Sequence, residues 1–126
     1  MYLLDTHTLL WFLYNSSKIP KRTVKIISTE EQIYVSIVSF WEIAIKKSIG
    51  KLKVEYPIQK IETLCYEKDI SILHITSKHL DILVDLPNIH NDPFDRLLVS
   101  QAMSENLGII TKDSIIPRYP VHTVWQ

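Results

Sequence analysis

Four acidic residues sit where the local pattern changes along the chain. They are Asp5 in "LLDTHTLLWFL", Glu42 in "SIVSFWEIAIKKSIGKL", Asp95 in "HNDPFDRLLVSQA" and Asp113 in "GIITKD". Glu42 raises the sharpest question, because Trp41 and Ile43 flank it and a carboxylate is costly to bury unless it is paired or kept wet. Carboxylates brought together repel and drive one another's pKa values up, a conflict that a hard divalent cation removes. Mg²⁺ prefers carboxylate, water and phosphate oxygens, and such a site suits phosphodiester cleavage. Zinc fits poorly, since His7, His74, His79, His90 and His122 show no paired spacing and Cys65 stands alone.

Whether the acids meet depends on the elements that carry them. Residues 2–4 ("YLL"), 33–36 ("IYVS"), 70–75 ("ISILHI"), 108–111 ("GIIT") and 121–125 ("VHTVW") read as short strands. Residues 6–15 are apolar nearly all round and predict a buried helix. Pro20 opens a second helix to about Thr29, and a third over 38–49 stops at Gly50. Residues 57–68 have one apolar face, Thr76 caps a helix that ends near Pro87, and Asp92 with Pro93 starts a helix over 94–107. Strands alternating with helices predict an α/β fold, three layers with a largely parallel central sheet of about five strands.

In such a sheet ligands bind beyond the carboxyl ends of the strands. Asp5 directly follows the first strand, and Asp113 lies two residues past "GIIT". Glu42 lies in the first turns of the helix leaving the second strand. Asp95 lies in the first turn of the helix that must begin at the far end of the strand it precedes. All four are therefore expected at one edge. Each also has a dull explanation. Asp5 can cap a helix, Ser39 and Glu42 match a capping box with Glu42 able to pair with Lys46, Asp95 suits a helix dipole, and Asp113 suits a turn. Jointly these do not explain convergence with no neutralising partner; Arg96, the nearest cation to Asp95 in sequence, points elsewhere on a helix.

The 126 residues are expected to form a single domain over 1–126, with 46% apolar residues and only two glycines. Cys65 is the sole cysteine, which fits a reducing cytoplasm. No apolar run is long enough to span a membrane, and "MYLLDTHTLLWFL" lacks a basic leader and makes a poor signal peptide. Net charge is zero, but residues 1–60 carry nine Lys/Arg against five Asp/Glu, and residues 61–126 carry five against nine. The densest basic stretch, "KKSIGKLK", reads equally as a solvated helix end or a phosphate-contacting patch.

The four quoted segments, in this order over residues 3 to 113, resemble a PIN domain of the VapC toxin type. In that family the matching positions, Asp5, Glu42, Asp95 and Asp113, form a catalytic metal site. The resemblance implies a Mg²⁺- or Mn²⁺-dependent endoribonuclease, the toxin of a type II toxin–antitoxin pair. It also implies an RNA substrate, a homodimer and a cognate antitoxin. Asn91 departs from the pattern, because relatives often carry a basic residue there.

Around the acids, Thr6 and Thr111 are candidate hydroxyls for orienting carboxylates, Ser39 a cap, and Asp92 a cap more than a ligand. His7 and His90 fall near the crevice, better read as surface or supporting residues than as general bases. Lys46, Lys47 and Arg96 are candidate RNA contacts. Trp11, Phe12 and Tyr14 are shared between core and a partner surface. Two other readings compete: a non-cleaving module binding RNA or a partner, and a phospho-acceptor signalling domain. The second lacks its acidic pair after the first strand, where Asp5 precedes Thr6, and has no lysine after the last strand.

Overall fold

A computed structural model describes residues 1–126. The strands are β1 (Tyr2–Leu4), β2 (Ile33–Ser36), β3 (Ile70–Leu73), β4 (Gly108–Ile110) and β5 (Thr123–Val124). The helices are α1 (Thr6–Tyr14), α2 (Lys21–Thr29), α3 (Ile37–Ser48), α4 (Ile58–Glu67), α5 (Ser77–Asp85) and α6 (Pro93–Glu105). The sheet order is β3-β2-β1-β4-β5 and every pairing is parallel. From β1 the chain builds outward through β2 and β3, then returns to β1's other side with β4. The order reverses between β1 and β4, which is where an open α/β sheet forms its crevice.

Side-chain alternation divides the core. Leu4, Val35 and Ile110 face one layer, where they pack with Leu9 of α1, Ile27 of α2, Ile43 of α3 and Ile61 of α4. Leu3 and Ile109 face the other, with Leu97, Leu98 and Ala102 of α6. The result is the expected three-layer sandwich around a five-stranded sheet. Cys65 lies in the first core with no exposure, and burial pushes its thiol up to about 12, which leaves it unreactive.

Several boundaries differ from expectation for local reasons. β3 stops at Leu73, because its register partner Ser36 is the last residue of β2. α6 stops at Glu105, because Asn106 adopts a left-handed φ of 58° and ends the helix. β5 is shortened to two residues by the short β4 beside it. The α3 cap is Ser36, not Ser39: β2 passes into α3 with no loop, and the Ser36 hydroxyl accepts from Val38 N at 3.0 Å. Glu42 is therefore not part of a capping box. α1 is not buried all round either. Thr6, Thr8 and Leu9 are buried, while Trp11 lies against His7 and Trp125, and Tyr14 stacks on Tyr56 at 5.1 Å.

A candidate metal centre at the carboxyl edge of the sheet

Asp5 directly follows β1 and caps α1, with Oδ1 accepting from Thr8 N at 2.9 Å. Its Oδ2 accepts from the Thr111 hydroxyl at 2.5 Å. Thr111 follows β4, and its Oγ1 also accepts from Asp113 N at 2.9 Å. One threonine thus ties the acid after β1 to the acid after β4. Asp113 Oδ2 in turn accepts from Ile115 N and Ile116 N at 2.9 and 2.7 Å, which fixes the turn that follows. The dull readings of Asp5 as a cap and Asp113 as a turn former are correct, yet both leave their carboxylates in the crevice.

Glu42 is buried on the inner side of α3. Its Oε1 lies 2.6 Å from Thr6 Oγ1, which lies 2.9 Å from Ser39 Oγ. Its Oε2 lies 2.5 Å from Lys46 Nζ. Contrary to the expectation that nothing neutralises the acids at the crevice, Lys46 does so for Glu42, reaching back a turn along α3. The hydrogen bond to Glu42, ahead of the attraction of Asp92 and Asp95, holds the Lys46 ammonium above its ordinary range. Asp92 caps α6, accepting from Asp95 N at 3.0 Å.

These groups share one cleft of about 220 Å³, lined by Asp5, Thr6, His7, Glu42, Lys46, Asp92, Asp95 and Asp113 with no apolar residue. All four predicted acids line it, with Asp92 as a fifth. One lysine charge faces five carboxylates. Burial pushes Asp5 up, against the hydrogen bonds from Thr111 and Thr8. Asp95 accepts no hydrogen bond; burial, then the charges of Asp92, Asp5, Glu42 and Asp113, push it up to about 7. A set of hard oxygen donors with an unrelieved negative field is the chemistry a divalent cation fits.

The other predicted residues fall unevenly. Thr6, Ser39 and Thr111 contact the acids as described. Lys47 Nζ donates to Tyr56 O at 2.6 Å, away from the cleft. Arg96 donates to Pro87 O at 2.9 Å and Leu86 O at 3.4 Å, which engages its guanidinium in the turn after α5. His90 is closer than expected: ligand atoms of His90, Asp95 and Asp113 lie within 4.8 Å of one another. Tyr119, which holds His90, was not legible as a site neighbour, since only the folding of the turn after β4 brings it there.

The PIN domain profile matches residues 2–121. Comparison with curated protein sequences returns no match. Among solved structures the fold resembles VapBC2 from Rickettsia felis bound to a promoter DNA fragment, at 16% identity and a TM-score of 0.75, covering 99% of this chain and 98% of that one. It also resembles DNA-bound VapBC from Salmonella typhimurium, at 14% identity and a TM-score of 0.69, covering 98% and 96%. A toxin–antitoxin complex from Klebsiella pneumoniae is similar at 19% identity and a TM-score of 0.64, covering 98% and 96%. With the profile spanning nearly its whole length, this chain belongs to the PIN domain family.

Proposed function

We propose that the protein, a single domain over residues 1–126, is a metal-dependent endoribonuclease and the toxin of a VapC-type toxin–antitoxin pair. The observation that carries this reading is the polar cleft in which five carboxylates face one lysine. The similar structures are toxin–antitoxin assemblies, which supports a cognate antitoxin as partner. Exposed apolar side chains, Trp41 on α3 with Ile49 just past its end, and Leu80 and Val84 on α5, offer surface for that antitoxin and for a homodimer. No helix is long and apolar enough to cross a membrane, and together with the lone buried Cys65 this supports a cytoplasmic setting.

Asp5, Glu42, Asp95 and Asp113 would hold the ion, Mg²⁺ or Mn²⁺. Bound there, it supplies Lewis-acid stabilisation of the charge that builds on a scissile phosphate. The chain's own groups do the rest. Thr111 holds Asp5 and the turn of Asp113 in register, and Thr6 fixes one oxygen of Glu42. Asp95 accepts no hydrogen bond, which leaves its carboxylate oxygens free to face the cleft. Lys46 is the cation best placed for a phosphate oxygen, because its present partner Glu42 is itself a proposed ligand. The direct test is incubation of purified protein with total cellular RNA and Mg²⁺, repeated with EDTA. Cleavage with Mg²⁺ that stops on chelation is expected; RNA left intact under both conditions would favour a non-cleaving binding module.

A further inference from the structure

Beside the cleft acids Asp95 and Asp113 lies a buried polar atom with no partner, His90 Nε2. Such atoms are rare in folded proteins, and each needs an explanation. The ring is largely shielded, with 11% of its side chain exposed, and Nε2 lies 3.6 Å from Asp95 Oδ2. That separation is just beyond a hydrogen bond.

Which ring nitrogen carries the proton follows from Tyr119, a buried side chain. The His90 backbone N–H donates to the Tyr119 hydroxyl at 3.3 Å, and Arg96 Nη1 donates to it at 3.4 Å. A phenol oxygen has two lone pairs and one proton. With both lone pairs used, the proton is left for His90 Nδ1, 2.8 Å away. Nδ1 is then the acceptor, and in the neutral imidazole Nε2 carries the hydrogen. It points at the one cleft carboxylate that accepts no other hydrogen bond.

We propose that His90 is a positioning residue for Asp95: its Nε2–H, held in that tautomer by Tyr119 and Arg96, closes onto Asp95 Oδ2 when the cleft takes up a divalent cation, leaving Oδ1 to face the ion. The chain Arg96–Tyr119–His90–Asp95 also gives Arg96 a role in the site without RNA contact. This inference rests on the reading of the cleft as a metal site. It differs from direct ligation by His90, which would require a lone pair on Nε2.

The test is Mn²⁺ titration by paramagnetic resonance, with ring-nitrogen NMR of His90 before and after Mg²⁺. Groups that orient metal ligands contribute about 10- to 100-fold in affinity, so His90→Leu should weaken Mn²⁺ binding by about that much, while His90→Gln, whose amide nitrogen reaches the Nε2 position, should stay within about threefold of wild type. Tyr119→Phe should weaken binding by less than His90→Leu and release the fixed tautomer. It also carries the test should His90→Leu fail to give a folded melting curve. In wild type the Nε2 proton should persist after Mg²⁺ and shift as its bond shortens. Loss of that proton with Nε2 bound to the ion would overturn the inference, as would unchanged affinity in both His90→Leu and Tyr119→Phe. Wild type that binds no Mn²⁺ would overturn the metal reading and this inference with it; wild type that binds while the variants match it would overturn this inference alone.

Discussion

Asp95 has a carboxyl pushed up to about 7, against an ordinary value of 3.8. Between those values the folded protein holds a proton that the unfolded chain has released. Stability without metal therefore falls as pH rises through that window, and the loss is complete above about pH 7. Asp95→Asn removes the slope. The variant should be more stable than wild type at pH 8, by on the order of 1–3 kcal/mol after allowing for partial exposure, with the difference shrinking toward pH 4. Urea melts at several pH values check this. Because the proton must leave before the carboxylate can bind a cation, Mg²⁺ affinity should rise with pH up to about 7, with about one proton released per ion. Calorimetry in buffers of different ionisation heat reads that number directly. For Glu42, Ser36 supplies the α3 cap, so Glu42→Gln should leave the helix intact while weakening Mn²⁺ binding and RNA cleavage by orders of magnitude. A lower melting temperature with unchanged metal affinity would mean that Glu42 serves only Lys46. The acids were legible because each is punctuated by a strand end or a helix start. Lys46 was legible as an i,i+4 option and as a candidate RNA contact, but not as a cleft residue, because its reach into the cleft depends on how deeply α3 is set.

At the scale of elements, the site depends on α1, α3 and α6 starting at the same edge of the sheet. Thr111 links the two strands whose ends carry Asp5 and Asp113, and Thr8 Oγ1 donates to Ile110 O at 3.0 Å, tying α1 to the end of β4. Thr111→Val leaves Asp5 and the Asp113 N–H each short of a partner in a buried setting. It should cost about 1–3 kcal/mol and lower cleavage without removing any acid. Ser36→Ala should cost about 0.5–2 kcal/mol through the lost cap. Ser36 also lies 2.5 Å from Gln101 Oε1, so the upper end is expected. Ser39→Ala should spare the helix and loosen Thr6 instead. Denaturant melts of the two serine variants separate these outcomes. Strand identities were readable from short β-branched runs and helix starts from Thr76, Asp92 and Pro93. Cap placement at α3 was not, because Ser36 and Ser39 are both plausible until the absence of a loop after β2 is seen.

For the whole molecule, topology made the site foreseeable before any side chain was placed. Acids after β1 and β4 meet because the sheet order reverses between those strands. The rim was less legible: Arg96 looked like an RNA contact, but the turn after α5 engages it, and His90 gained its neighbour Tyr119 from a distant turn. RNA bound as proposed would meet a single lysine in the cleft, so its salt dependence should be shallow. A filter-binding series in rising salt checks this, and a steep slope would point to a larger basic surface formed in a homodimer. The central claim is that four carboxylates from separate parts of the chain form one metal centre. Anomalous diffraction from crystals soaked in Mn²⁺ tests it most directly. We expect a peak in the cleft within about 2.0–2.5 Å of carboxylate oxygens from Asp95, Asp113 and at least one of Asp5 and Glu42. A cleft without a peak, at a Mn²⁺ concentration that supports RNA cleavage, would contradict it.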